Sequence, residues 1–557
     1  MFTHFTPAER AVHAPADRRP YLGLSPGTWL ALGLLLLGTV GGAWFHYLVF
    51  GLPPDPSAHL PPLTPADPRG FPAWVSVSHW VNFFFLTLLI RSGLSILADH
   101  PRLYWNRDST PGTEWARFTP IRVPTGPAYT SKEDARYLSP AWGLPGYRHT
   151  VGIARSWHFL TIPFFVLNGV GYVVLLFCTN QWRRLVPTAW HLLPDAWRVF
   201  VHYATFHFPI EPDGFYRYNA IQQLSYFGVV FGLAPLAMLT GVAMSPAVES
   251  RFPWFPRVLG FGSRQGARSV HFLVLLAFVG FLIIHVTLVA LTGLTHNLNH
   301  LTTGTDSRNP AGLYIGLGIV AATVAACVAA QWASWHRPRA LQRAEAGLNG
   351  RLWYYTLNRL QPQAHFQKKD ISPYFWVNGK LPTSAAWQQQ LATRFAEYKL
   401  VVKGLVDNPV ALSLADLQRL GYAQTITMHH CIQGWTSIAE WGGLPMQQLI
   451  ELVRPQAAAR TVAFYSYGEG LYGGQYYDTL SLDNCRQPGC LLAWEMNEQP
   501  LPPEHGAPLR LRIANQLGYK MVKWIHTIEF VETYKTIGKG QGGKSEDDEY
   551  FDLLADT

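Results

Sequence analysis

Charged residues are scarce in this sequence: Asp, Glu, Lys and Arg make up 14% of 557 residues, against about a quarter in soluble domains. That shortage excludes a chain solvated along its whole length. Cysteine is scarce too, and five of them do not make a disulfide framework. Cys178 and Cys327 fall inside apolar runs, where a thiol fills space; Cys431, Cys485 and Cys490 lie in the more polar half. No basic stripe suited to nucleic acid is present. The net charge of +9 comes mainly from Arg beside apolar segments, the pattern that orients membrane helices. No cleavable signal peptide is evident. Arg18-Arg19 looks like a twin-arginine export signal, but the apolar stretch after it is long enough to span a bilayer and lacks a small-residue cleavage site.

What the sequence does contain divides it in two. Apolar stretches near 28–50, 77–97, 157–178, 222–245, 270–293 and 312–335 can each cross about 30 Å of hydrocarbon. The stretch 182–207, with Trp182, Trp190 and Trp197 among scattered Arg, reads as an interfacial amphipathic segment. The connecting loops are alternately rich and poor in Lys and Arg, with seven in 98–154 and one in 51–76. Positive charge on the inner side then places both termini in the cytoplasm. Residues 1–27 are read as a cytoplasmic segment, 28–336 as an all-α transmembrane bundle and 337–370 as a basic linker. Strand-like runs at 374–378, 398–403, 424–428, 461–466 and 525–532, with helices at 413–420 and 445–453, predict an α+β, mainly β, domain over 371–537. The Gly-rich, then acidic, tail 538–557 is expected to be an extended surface segment.

Four histidines stand in or beside the apolar runs: His79, His158, His271 and His285. An imidazole in a bilayer is costly and marks function. His271 and His285 share one expected helix, 14 residues apart, which is about 21 Å along the axis and nearly one face. Alternating helix direction puts His158 and His271 near the inner side, and His79 and His285 near the outer. Two pairs of facing imidazoles fill both axial positions of two haems and suit electron transfer rather than oxygen chemistry. His46, His202, His207, His296 and His300 find no partner of matching depth and are read as interfacial packing.

Order and spacing add a family. Ser78-His79-Trp80, Trp157-His158-Phe159, Tyr218-Asn219 with Gln222, Thr240-Gly241 with Met244-Ser245, and the His271/His285 pair resemble the di-haem cytochrome b subunits of formate dehydrogenase and nickel-iron hydrogenase over roughly 75–295. The resemblance implies a four-helix haem-binding core, two haems b, and electron exchange between a catalytic partner and membrane quinone. The extra helix before the bundle and the long loop 98–154 depart from that pattern.

In the polar half, Cys431 stands in Met428-His429-His430-Cys431-Ile432-Gln433-Gly434-Trp435, directly after a β-like run. Some 75 residues on come His505-Gly506-Ala507-Pro508-Leu509-Arg510 and Gly518-Tyr519-Lys520-Met521-Val522-Lys523-Trp524. Gly-rich turns with Lys and Arg suit a phosphate, and a thiolate beside them suits a soft metal. Together with the LLAWEMN segment, these motifs resemble the sulfite-oxidase superfamily of molybdopterin enzymes, particularly its methionine-sulfoxide-reductase-like branch, over 371–535. The resemblance implies Cys431 as the molybdenum ligand and catalytic centre. It implies cofactor contacts at Tyr374, Phe375, Asn378, His430, Ser466, His505, Arg510, Lys520, Met521, Val522 and Lys523. Sulfite oxidases place an arginine-rich stretch after the cysteine; here Ile432-Gln433-Gly434-Trp435-Thr436 stands there, which counts against sulfite. His429 and His430 could bind an anion if protonated. Cys485 and Cys490 are expected neither to pair nor to chelate.

The expectation is a multi-pass protein of the cell inner membrane, its soluble domain on the cytoplasmic side. It would couple oxygen-atom transfer on a small S-oxide, N-oxide or related oxyanion to quinone, using Mo-molybdopterin and two haems b. Lipid, quinone and a small substrate are the expected partners, and nucleic acid is not. Two rivals remain: an electron-transfer cytochrome with a non-catalytic or sensory domain, and a transporter with incidental histidines.

Overall fold

The computed structural model describes residues 23–24, 26–54, 64–65, 67–119, 123, 129–147, 150–208, 215–350, 356–357 and 363–557. The Arg18-Arg19 motif and most of the 1–27 segment lie outside them. Among the described residues six helices are long and apolar enough to cross a membrane: α1 (Pro26–Phe50), α2 (Ala73–Asp99), α3 (Val151–Cys178), α4 (Ala220–Ala243), α5 (Arg264–Leu291) and α6 (Ala311–His336). Polar caps set their starts. Thr150 accepts from the Ile153 amide at 3.3 Å and Ser263 from the Gly266 amide at 3.2 Å, while Asn219 and Gln222 form a reciprocal capping box on α4. A π-helical turn at Gly228–Leu233 interrupts α4 just before Pro235, whose ring removes a backbone donor.

Helices α2, α3 and α5 begin four to six residues before the apolar runs that announce them. The additional first turn of α5 is polar yet buried, Arg264 and Gln265 included, because both donate to the Gly434 carbonyl of the second domain. The 182–207 stretch forms two short helices, Trp182–Leu185 and Leu192–Ala204. Within the linker a helix, Pro338–Glu345, lies on the flank of α3, where Asn349 just beyond it donates to the Phe159 carbonyl at 2.8 Å.

The second domain is built on two sheets. Its strands are β1 (Lys399–Gly404), β2 (Val410–Ser413), β3 (Ala423–His430), β4 (Thr436–Pro445), β5 (Thr461–Glu469), β6 (Gln475–Ser481), β7 (Leu491–Met496), β8 (Gln499–Pro500), β9 (Arg510–Arg512) and β10 (Ile525–Val531). One sheet runs β2-β1-β10-β5-β6, with β1 and β10 parallel; the other runs β8-β7-β4-β3, with β9 added beside β7. Leu400, Phe464, Ile528 and Phe530 of the first sheet share one core with Leu444, Leu492 and Leu511 of the second. The expected helices form at Leu414–Leu420 and Met446–Val453.

Two expectations fail here. Residues 374–378 make no strand: the Val377 carbonyl accepts instead from the Ser131 amide at 2.8 Å, and the Trp376 indole donates to the Ser109 carbonyl at 2.6 Å. Both partners belong to the long loop 98–154. The tail 538–557 is not an extended surface segment either. Ser545, Glu546, Asp547, Phe551 and Thr557 are buried, because cations meet the acids and carbonyls of the tail. Arg339 donates to the Glu546 carbonyl at 2.6 Å, Lys132 lies 3.8 Å from Glu549, and Lys520 pairs with Glu546.

Candidate functional site

Strands β3 and β4 form a hairpin in which His430 faces Thr436, and residues 431–435 are its tip. The Cys431 amide donates to the Trp435 carbonyl at 3.1 Å and the Gly434 amide to the Cys431 carbonyl at 3.0 Å. This turn holds Gly434 at φ +114°, where a Cβ would also press on the Arg268 guanidinium at 3.4 Å. The tip is docked on the membrane domain. Arg264 and Gln265 each donate to the Gly434 carbonyl at 2.9 Å, Ser131 donates to Gln433 at 2.6 Å, and Gln433 donates to the Asp99 carbonyl at 3.3 Å. Cys431 is 2% exposed. Burial pushes its thiol up to about 12, so it ionises readily only when a metal cation replaces the proton. Asn378 Nδ2 is 3.6 Å from Sγ, in position to donate to it.

From Asn378 a continuous set of contacts leads to a cluster of cations. Lys523 donates to the carbonyls of Asn378 at 2.5 Å and Glu504 at 2.8 Å; Arg510 donates to that of His505 at 2.8 Å. Arg510 and Arg512 lie 4.7 and 4.4 Å from the centre of the Trp441 ring. Phe375 is the hub of the aromatic wall, its ring 5.3 to 6.0 Å from those of His429, Trp435, Trp441 and His505. Among the described residues no carboxylate pairs with Arg510, Arg512 or Lys523. Burial brings Arg510 down to about 9, and burial followed by Arg510 holds Arg512 and Lys523 well below their ordinary values. Nε of both arginines and Nδ1 of His430 are buried without partners. Buried cations and orphaned donors without an anion are the complement of a phosphate-bearing pterin. The residues present fit that group.

Other expected contacts take different places. Ser466 supports the cradle through the backbone, donating to the Lys523 carbonyl at 2.7 Å and accepting from the Gly468 amide at 2.9 Å. Tyr374 packs edge-on against Trp376 at 5.3 Å. Val522 is core, and the Met521 sulfur sits against Arg512. His429 accepts from Arg512 at Nδ1, 2.9 Å away. Burial and then Arg512 hold His429 well below its ordinary value, and burial and then Arg264 do the same for His430. Gly518 lacks a side chain for a local reason: a Cβ there would meet His429 at 2.4 Å. Cys485 and Cys490 are buried as free thiols.

Lys520 does not join the cradle. It is 1% exposed, donates to Asp478 at 2.8 Å and pairs with Glu546, which ties the domain to the tail. Removing one partner of such a cluster leaves buried charge uncompensated, at about 3–5 kcal/mol. Lys520→Met should therefore lower the melting temperature of the solubilised chain while cofactor retention in the folded fraction is unchanged. Lost cofactor at unchanged melting temperature would return Lys520 to the cradle.

In the membrane domain the four histidines meet in two pairs. The ring centroids of His79 and His285 are 6.3 Å apart and those of His158 and His271 6.5 Å. Two imidazoles sharing one metal at about 2 Å per nitrogen put their centroids roughly 6.3 Å apart. Hydroxyl groups fix two of the tautomers. Ser92 donates to the Leu88 carbonyl at 2.8 Å and Thr240 to the Leu236 carbonyl at 2.7 Å, so each oxygen accepts from Nδ1–H of His158 (3.0 Å) and His271 (2.9 Å). The Nε2 lone pairs are thereby left for a metal. Tyr226 stands 3.4 Å from Nδ1 of His285, while Nδ1 of His79 is buried without a partner. The residues present fit bis-imidazole haem.

Sequence reasoning missed Arg512, Trp441, Gln433, Arg264 and Gln265. Arg512 carried a signal, since it stands two residues from Arg510 on one strand face. Arg264 and Gln265 carried none, because only the fold brings them to residue 434.

The class follows from comparison with known proteins. Residues 70–304 match the family model of prokaryotic cytochrome b561, and residues 387–537 that of the oxidoreductase molybdopterin binding domain. The chain is a multi-pass membrane oxidoreductase in which these two domains are fused. Among curated relatives, the YedZ1 subunit of Azospira oryzae is 28% identical over 200 residues, 36% of this chain and 69% of that one. Two protein-methionine-sulfoxide reductase catalytic subunits, MsrP, match the other half. That of Campylobacter jejuni is 28% identical over 24% of this chain and 49% of its own, and that of Ralstonia nicotianae 30% identical over 24% and 44%. The chain thus spans less than half the length of either MsrP subunit.

Proposed function

We propose that this protein couples oxygen-atom transfer on a small S-oxide, N-oxide or related oxyanion to membrane quinone through two haems. One observation carries the reading: the hairpin tip presenting Cys431 is hydrogen-bonded at Gly434 to the first turn of α5, and His271 lies seven residues, about 10 Å, along that helix. A substrate centre and an electron carrier are thereby held side by side in one chain. The pair His79/His285 lies at the far end of α5, where a quinone in the bilayer would exchange electrons.

Bound at Cys431, molybdenum would supply two-electron oxygen-atom exchange, and haems between the imidazole pairs would supply one-electron exchange. The chain supplies position. Arg510, Arg512 and Lys523 would hold the pterin phosphate, and Asn378 would orient on Sγ of Cys431. For an S-oxide the balance is one sulfoxide, two electrons and two protons giving one thioether and one water. The loop 98–154 adds Tyr129 to the apolar cluster that encloses Cys431 and bonds Ser131 to Gln433 beside it, which favours a small substrate over the protein-bound methionine sulfoxide in the names of the MsrP relatives. The Arg-rich loops 98–154 and 246–269 lie on the same side as this domain, and that side is the cytoplasmic face of the inner membrane by the positive-inside rule.

The test is purification in detergent, metal analysis, and reoxidation of quinol-reduced haem by candidate oxides. One molybdenum and two haems per chain are expected, with reoxidation by dimethyl sulfoxide or trimethylamine N-oxide and none by sulfite. Haem that stays reduced with every oxide, in a molybdenum-loaded preparation, would instead make the second domain a silent or sensory module.

A further inference from the structure

Beyond the C-terminal end of α5, on the face of the membrane domain away from the molybdopterin domain, a short helix Leu294–Thr302 carries His296 and His300. Four residues apart, they share one face. The loop that follows returns Asp306 to that face. Nε2 of His300 is 3.1 Å from Nε2 of His296 and 3.2 Å from Oδ1 of Asp306, and His296 also touches that same Oδ1. We propose that His296, His300 and Asp306 form a binding site for a divalent transition-metal ion, zinc foremost, separate from the molybdenum and haem centres.

The geometry matches the ion. Ligands about 2.0–2.1 Å from a tetrahedral zinc stand roughly 3.3 Å from one another, close to the 3.1 and 3.2 Å that separate His300 from His296 and from Asp306; His296 and Asp306 are in closer contact and would part to admit the ion. Two imidazoles and one carboxylate suit zinc, copper or nickel rather than magnesium or calcium. Without an ion the arrangement is crowded, because two ring nitrogens 3.1 Å apart are both aimed at one carboxylate oxygen. The ligands are also held in place. Asn299, 1% exposed, donates to the carbonyls of Ser307 and Asn309 at 3.0 and 2.5 Å and accepts from the Gly312 amide at 3.0 Å, which fixes the loop carrying Asp306. His300 is locked by the Phe215 ring, 4.9 Å away. The side chains of His296 and Asp306 remain 32% and 34% exposed, so an ion can enter from solvent and water can complete its coordination.

The test uses the full chain, purified without a polyhistidine tag and carrying its haem and molybdenum. After treatment with a chelator and titration with zinc chloride, one zinc per chain should be retained, with an X-ray absorption edge showing two imidazole nitrogens at about 2.0 Å. Loss of a partner that merely orients a metal ligand weakens binding by about 10–100-fold. His296→Ala and Asp306→Asn remove ligands and should weaken zinc binding at least as much, with haem absorbance and molybdenum content unchanged. Asp306→Asn keeps the side-chain volume, so it separates lost coordination from lost folding. Zinc retained equally by both variants, or no zinc retained by the parent at micromolar concentration, would overturn the site and leave a hydrogen-bonded His–Asp–His cluster.

Discussion

Cys431→Ser is expected to abolish oxide reduction, by at least about a thousandfold, or roughly 4 kcal/mol of transition-state stabilisation, while the haem spectrum is unchanged. Molybdenum should fall from one per chain to near zero. The physical basis is the character of the ligand. A thiolate is soft and forms when a metal displaces the proton from a sulfur that burial otherwise keeps neutral. A serine hydroxyl in the same enclosed tip would need a far more basic medium to ionise. The substitution is nearly isosteric, so the hairpin and its contacts from Arg264, Gln265 and Ser131 should survive, and the haems with them. Retained molybdenum with full turnover would remove Cys431 from the centre of the site.

The sequence conveyed unequal amounts of this arrangement. Long apolar runs are local signals, and all six transmembrane helices were legible from them. So were the His pairs, because helix direction and depth follow from counting residues. Cys431, Arg510 and Lys523 were legible as motifs and Asn378 through the resemblance, and contacts link Asn378 to Cys431 and to Lys523. What escaped lay across domains. The polar first turn of α5 reads as loop until the hairpin tip is seen to bury Arg264 and Gln265. The acidic tail reads as solvated until Lys520, Lys132 and Arg339 are seen to meet it. Lys520 is a cofactor contact by resemblance, yet its ammonium is held by Asp478 and Glu546. A sequence motif records which residues are near in the chain; long-range charge partners decide which of them a ligand can still reach.

The depth order of the two histidine pairs yields a second large effect. His158→Ala and His79→Ala should each remove about half of the haem, since each breaks one bis-imidazole pair, but with opposite consequences. His158 pairs with His271, seven residues from the turn that docks the molybdopterin domain, whereas His79 pairs with His285 near the opposite end of α5. In His158→Ala the remaining haem should still be reduced by a quinol analogue, yet no longer be reoxidised by an S-oxide. In His79→Ala quinol reduction should fail, and haem reduced chemically should still be reoxidised by the oxide. Molybdenum content should be unchanged in both, because neither histidine touches the β3–β4 hairpin. The reverse pattern would invert the order of carriers. Full haem content in either variant would mean that the pair it breaks does not hold haem, whatever the spacing of its rings.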